Sequence, residues 1–305
     1  MLVIHSSKTH KVSLNHTMKY SFVIIMLLFL CSCEGDLNLI VPQSDLNMNS
    51  SMSVPLVYEQ KFDVSYGPNI LQNYDLYLPS TRNKRNPVIV LLHPGAWRIG
   101  DKAAINSIVK RFTDKRVNCA IVNANYRLTS TVGITYTEQL KDINTLLNKL
   151  KSESNTLNIS TNFLLVGISS GGHLAMLYAN NPLGDKLAVG IAAVVPPVDL
   201  TAPSMYNGIL KDDVQKLIGK PFSTNPEEYF KASPIFQFSK GGPPIIVFFG
   251  GKDETVPIEQ SEICKKMFTV SRVNAEFNFY PTQTHDWNVY DDTINKIITF
   301  ASKNL

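Results

Sequence analysis

Residues 163–175 constrain the fold more than any other stretch of the chain. Phe163-Leu164-Leu165-Val166-Gly167-Ile168 is an apolar run with nothing polar inside it. That is the pattern of a short strand buried on both faces, as in a parallel sheet. Ser170 to Ala179 then reads as a helix that opens on small residues, Ser170, Gly171 and Gly172. Between strand and helix lies Gly167-Ile168-Ser169-Ser170-Gly171, a G-x-S-x-G turn. A serine on such a turn sits at strained backbone angles, where side chains two residues before and two after collide, so both positions are glycine. The turn lifts the Ser169 hydroxyl above the sheet. It also aims the Ser170 N–H and the helix N-terminus at the same point, where they can hold a developing oxyanion. Ser170 is the poorer nucleophile, because in its own frame the first glycine position is occupied by Ile168.

A serine hydroxyl needs a base within hydrogen-bond reach, and the base needs an acid to orient it. After the first 32 residues the chain holds three histidines, His93, His173 and His285. His173 follows Ser169 by four positions on the same helix and faces the packed layer. His93 ends a strand and opens a different motif. His285 remains, in the loop Thr282-Gln283-Thr284-His285 behind the last strand, where a base for this elbow belongs. The acid is expected after the preceding strand. Asp253 in Gly250-Gly251-Lys252-Asp253-Glu254 has that place, before a helix that Pro257 can start. Glu254, Asp286 and Asp199 are rivals for the role. The chain order Ser169, Asp253, His285 is that of the α/β-hydrolases.

The remaining pattern agrees with such a fold. Strands are expected at Val57–Ser65 and Tyr74–Leu78 (both half-buried), at Pro87–Leu92, Cys119–Asn125, Phe163–Ile168, Leu187–Val195, Ile245–Phe249 and Ala275–Tyr280. Helices are expected from Asp101 to about Lys115, over Thr137–Ser152, after Ser169, over Pro257–Val270 and over Asp286–Ser302. Strand and helix alternate, which predicts an α/β fold with a mostly parallel central sheet and helices on both faces. The domain spans 56–305, with a less regular, cap-like insertion at about 201–242 beside the site, where Tyr206, Tyr229 and Phe230 are candidate liners. Cys119 and Cys264 read as buried free thiols. No metal-ligand spacing such as H-E-x-x-H occurs, and the chemistry calls for neither metal nor cofactor.

The formal charge of +4 suggests an anionic partner until its distribution is examined. Residues 1–32 carry Lys8, Lys11 and Lys19 and no acid, and without them 26 basic face 25 acidic residues. There is no basic run, so nucleic-acid binding is excluded. Residues 1–33 read as a signal segment, with Met18 as an alternative start: Lys19 precedes the apolar run Ser21–Leu30, too short to span a bilayer. The run ends in Leu30-Cys31-Ser32-Cys33, which resembles a bacterial lipobox with Cys33 as the lipidated first mature residue. Residues 34–55, rich in Asn, Ser and Asp, read as a flexible tether. The expectation is an exported, membrane-anchored lipoprotein, held to the membrane by its lipid alone.

His93-Pro94-Gly95-Ala96-Trp97 looks like the H-G-G-[GA]-W motif of esterases, with Pro94 in place of the first glycine. The run His93 to Lys102, then Asn125-Tyr126-Arg127-Leu128, Gly167 to Ala175, Asp253 with Val256-Pro257, and His285 together resemble the hormone-sensitive-lipase-like esterases. Within them the chain is most similar to the BD-FAE group of carbohydrate-esterase and kynurenine-formamidase-like domains. That resemblance implies an α/β-hydrolase whose oxyanion hole uses the N–H groups of Gly95, Ala96 and Ser170. His93, Trp97, Tyr126, Gly167, Gly171 and Gly172 support the motifs. It implies a serine hydrolase acting on short carboxylic esters of small molecules or glycans. An amidase like the formamidase relatives is the alternative within hydrolases, and a catalytically weak binding scaffold the alternative outside them.

The leader reading is testable directly. Mature protein should partition into detergent, and Cys33→Ser should release it, because several acyl chains anchor stably where one does not. An intact mass showing an unlipidated N-terminus elsewhere refutes the anchor.

Overall fold

The computed structural model describes residues 56–180 and 187–305. The signal segment, Cys33 and the whole of the tether lie outside the described residues. Eight strands form one sheet: β1 Tyr58–Ser65, β2 Asn73–Pro79, β3 Val88–Leu92, β4 Ile121–Ala124, β5 Phe163–Ile168, β6 Ala188–Val194, β7 Ile245–Gly250 and β8 Ala275–Tyr280. The helices are α1 Asn106–Asp114, α2 Tyr136–Leu157, α3 Ser170–Asn180, α4 Pro203–Tyr206, α5 Lys211–Ile218, α6 Pro226–Lys231, α7 Ile258–Ser271 and α8 Tyr290–Asn304.

The strand order is β1-β2-β4-β3-β5-β6-β7-β8. β1 and β2 pair antiparallel, as do β2 and β4, and the pairings from β4 through β8 are parallel. β5 lies inside the sheet, with Val166 opposite Leu91 on one side and Ala192 on the other. Alternation along β3 divides the core. Val88, Val90 and Leu92 pack into the cluster that receives α2, α3 and α7, while Ile89 and Leu91 face the cluster that receives α1 and α8. Helices cover both faces, as the pattern requires.

Differences from the sequence reading have physical causes. β1 is largely exposed, since it is an edge strand with a neighbour on one side only, while β2 is buried almost throughout rather than half-buried. Asp101 caps a single 3₁₀ turn, Lys102–Ile105, before α1 begins. α8 starts at Tyr290 rather than Asp286, because the segment between them turns. There the Trp287 N–H donates to the His285 carbonyl at 2.8 Å, and its buried indole donates to Thr293 Oγ1 at 2.9 Å. Cys264 is a buried free thiol. Cys119 is only partly buried and precedes β4. It lines a cavity of about 330 Å³ near the N-terminal ends of the strands, away from Ser169.

The loop after β4 is tied to α2 by Asp142, which is fully buried. Its carboxylate accepts from the Arg127 N–H at 2.9 Å, from the Arg127 guanidinium at 2.6 Å and from Gln72 Nε2 at 2.8 Å. Asp142→Ala strands these donors in the interior. It is expected to lower the unfolding free energy by about 3–5 kcal/mol in a urea titration. A loss below about 1 kcal/mol would mean that the network is replaced by solvent.

Candidate active site

The elbow is built from contacts that leave no room for side chains. A Cβ on Gly167 falls 2.2 Å from the Gly171 carbonyl oxygen, and one on Gly171 falls 2.2 Å from that of Leu92. Glycine at both positions lets the first turn of α3 press against the ends of β5 and β3. Ser169 itself holds φ = 51°, in the left-handed region. Its N–H donates to the Val194 carbonyl at 2.8 Å, and its own carbonyl accepts from the His173 N–H at 3.0 Å. These bonds keep a costly conformation, about 1–3 kcal/mol, in place.

Three side chains predicted from sequence meet in one line. The Ser169 hydroxyl lies 3.0 Å from His285 Nε2, and His285 Nδ1 lies 2.9 Å from Asp253 Oδ2. The other Asp253 oxygen accepts from the N–H groups of Thr255, at 3.0 Å, and Val256, at 2.8 Å. The acid is therefore fixed by its own loop and presents one free oxygen to the imidazole. With Nδ1–H directed at a carboxylate, Nε2 is left as the acceptor for the serine proton. The acid and histidine loops are also joined by backbone, Lys252 N–H to the Gln283 carbonyl at 2.9 Å. The rivals fall away. Glu254 and Asp286 are exposed, and Asp199 turns its Oδ1 to Thr201, to N–H at 2.8 Å and Oγ1 at 2.6 Å. Ser170 sits at the start of α3 with its hydroxyl buried.

The loop behind β3 approaches the elbow in an unusual conformation. Gly95, Ala96 and Trp97 have φ of 139°, 49° and 60°. A Cβ on Gly95 falls 1.9 Å from the Ile99 carbonyl oxygen, so this position requires glycine on two counts. Among the described residues neither the Gly95 nor the Ala96 N–H is bonded to a backbone carbonyl. His93 closes the loop from behind. Its Nδ1 donates to the Pro94 carbonyl at 2.8 Å, its ring stacks on Tyr126 with centroids 4.4 Å apart, and Tyr126 donates to its carbonyl at 2.8 Å. Burial holds the His93 ring below the usual histidine range, so it stays neutral.

Comparison with known proteins identifies the family. The BD-FAE family model matches residues 74–268. The chain belongs to the BD-FAE family. Among curated relatives, probable carboxylic ester hydrolase LipM of Mycobacterium tuberculosis is 24% identical over 225 residues, 67% of this chain and 50% of LipM. Esterase LipC of the same organism is 24% identical over 253 residues, 77% of this chain and 61% of LipC. The chain thus spans 50–61% of the length of these relatives. Among solved structures, a truncated carbohydrate esterase from gut microbiota superposes with a TM-score of 0.69 at 22% identity, covering 81% of this chain and 98% of that one. That likeness is one of fold, and it confirms the α/β-hydrolase architecture for this BD-FAE chain.

Some features of the site escaped the sequence. Nothing local marked the Thr255 and Val256 amides as holders of Asp253, although an Asp two and three residues ahead of them is a common turn pattern. The insertion, expected to be irregular, contains α4, α5 and α6 and two 3₁₀ turns. Tyr229 is no liner: it is buried within the insertion, edge-on to Phe222, with its hydroxyl on the Lys220 carbonyl at 2.9 Å. Tyr206 stacks on Phe222, and the half-exposed Phe230 stacks on Phe236.

Pro94 departs from the motif and lacks an N–H. If the donors are Gly95 and Ala96, Pro94→Gly should change kcat by less than about tenfold, while Gly95→Pro should cost at least the 10²–10³ of a lost donor. A rise of kcat of about 10²-fold in Pro94→Gly, measured on a p-nitrophenyl ester, would show that the hole is one donor short.

Proposed function

We propose that this chain is a serine esterase that hydrolyses short-acyl carboxylic esters, with carbohydrate esters as the substrate class. The observation that carries the reading is the hydrogen-bonded line Ser169–His285–Asp253, with spacings of 3.0 and 2.9 Å. Ser169 Oγ attacks the ester carbonyl carbon while His285 Nε2 takes its proton. Asp253 holds the imidazole in the Nδ1–H tautomer and stabilises it once charged. The N–H groups of Gly95, Ala96 and Ser170 receive the oxyanion. As the tetrahedral intermediate collapses, the C–O bond to the alcohol breaks and His285 returns the proton to the leaving oxygen. Water, deprotonated by His285, then attacks the acyl-enzyme and releases the acid and the free serine. The carbohydrate assignment rests on the fold neighbour named as a carbohydrate esterase and on the BD-FAE membership, and it is the finer part of the reading.

A fluorophosphonate probe should label the wild-type protein at Ser169. Turnover should appear on a panel of p-nitrophenyl esters and acetylated glycans, highest for acetyl. Ser169→Ala should lower kcat by roughly 10⁴–10⁶ with the fold intact, whereas Ser170→Ala, which keeps its N–H, should retain most activity. A reversed pair of phenotypes would assign the nucleophile to Ser170. Labelling without ester turnover, with turnover on formamides instead, would move the chain to the amidases.

A further inference from the structure

His173 is a fully buried histidine whose two ring nitrogens both have partners. Nδ1 lies 3.1 Å from Trp97 Nε1, and Nε2 lies 2.8 Å from the Ala232 carbonyl oxygen. An indole N–H can only donate and a carbonyl oxygen can only accept. Both bonds form together in one state alone, the neutral ring with its proton on Nε2. Burial favours that state and brings the pKa down to about 4. The ring therefore remains a fixed acceptor toward Trp97 at any pH well above that value.

The three groups joined here belong to different parts of the site. Trp97 closes the Gly95-Ala96-Trp97 loop, His173 lies on the first turns of α3 behind Ser169, and Ala232 follows α6 in the insertion. Trp97 is fully buried, and its carbonyl accepts from the Thr129 N–H at 3.0 Å and from Gln139 Nε2 at 2.9 Å. The next residue, Arg98, pairs with Asp213 on α5 of the insertion through Nε at 2.5 Å. The loop holds three successive residues at positive φ, two of them not glycine. Such a loop springs to other conformations unless its surroundings over-determine it. The indole N–H on His173 is a side-chain bond that ties it directly to the nucleophile helix.

We infer that His173 is a positioning residue for the oxyanion hole: its Nδ1 clamps Trp97, and so sets the Gly95 and Ala96 N–H groups relative to Ser169, while the Ala232 carbonyl of the insertion fixes its ring. The insertion then acts on catalysis through the back of the oxyanion loop. This rests on the reading of Ser169 as nucleophile. The clamp touches no substrate, so its loss displaces the donors in the transition state more than it weakens ground-state binding.

The test uses the full chain, p-nitrophenyl acetate, and the indole N–H resonances, of which the sequence allows two, from Trp97 and Trp287. Trp97→Phe keeps the aromatic packing and deletes the donor. It should lower kcat by about 10–10²-fold, the scale of a misplaced donor, with KM within about threefold. His173→Asn puts an amide oxygen near the Nδ1 position and should recover most of the kcat. His173→Gln, which reaches Ala232 but not Trp97, should fall with Trp97→Phe. Combining Trp97→Phe with His173→Gln should cost no more than either change alone, as for two ends of one bond. In His173→Gln the Trp97 N–H resonance should shift and exchange faster, with that of Trp287 unmoved. A Trp97→Phe variant with wild-type kcat, or one in which KM and kcat change together, overturns the clamp while leaving the esterase reading standing. A folded wild-type protein with no turnover and no fluorophosphonate label overturns the esterase reading, and the clamp with it.

Discussion

The contact on which the site depends is the approach of backbone to backbone at the start of α3. Gly171 lies so close to the carbonyl of Leu92, and Gly167 so close to that of Gly171, that any Cβ between them would overlap an oxygen atom. That approach seats the helix N-terminus directly over the ends of β3 and β5 and forces Ser169 into the left-handed region. A serine on a relaxed turn would lie along the strand, within the packed layers. Here the hydroxyl stands clear of the sheet, and the amides of the first helical turn surround the same space.

Strain recurs around this point. Ser169, Ala96 and Trp97 all have positive φ, and so does Val195, a β-branched residue at the end of β6 for which that conformation is especially costly. Ser169, Trp97 and Val195 each have a bond that holds them. Val195 N–H donates to the Phe248 carbonyl at 2.8 Å, and Ser169 N–H donates to the neighbouring Val194 carbonyl at the same distance. At roughly 1–3 kcal/mol each, these conformations consume a sizeable part of a domain's net stability. The two-sided core and networks such as Arg127–Asp142 offset that cost from a distance. The preorganised site and the over-determined scaffold are thus two aspects of one energetic balance.

The loops divide the work by rigidity. Asp253 is set by amides of its own turn, and His285 by the buried Trp287 two residues on, so each side chain of the candidate triad arrives already oriented. The loop after β3 has local bonds as well, from the Arg98 and Ile99 N–H groups to the Gly95 carbonyl and from His93 Nδ1 to the Pro94 carbonyl, but Pro94 offers no N–H and Gly95 no side chain. Further support comes from Tyr126 and Thr129 in the loop after β4, from Gln139 on α2 and from His173 on α3, three separate parts of the chain. Bringing those parts together is what the sheet order accomplishes.

The sequence by itself determined the sheet's composition and which reactive side chains form the candidate site. The apolar run into Gly167-x-Ser169-x-Gly171 has one mechanical use, and elimination among three histidines leads to His285. Those signals are legible because they are local: a period of two, a turn that demands glycine, a residue type with few copies. Where contacts are long-range the sequence was silent or misleading. Four acids competed for one role until burial and hydrogen bonding separated Asp253 from Glu254, Asp286 and Asp199. Tyr229 reads as a cleft aromatic and is instead the core of the insertion. His173 reads as an inert core residue, because a partner 76 positions away in Trp97 and another 59 away in Ala232 leave no trace in its own neighbourhood. Local pattern specifies which elements form and what reactive groups they carry. Only the packing of β3, β5, α3 and the insertion decides which polar atoms face one another, because hydrogen bonds are made in space and the sequence records only order.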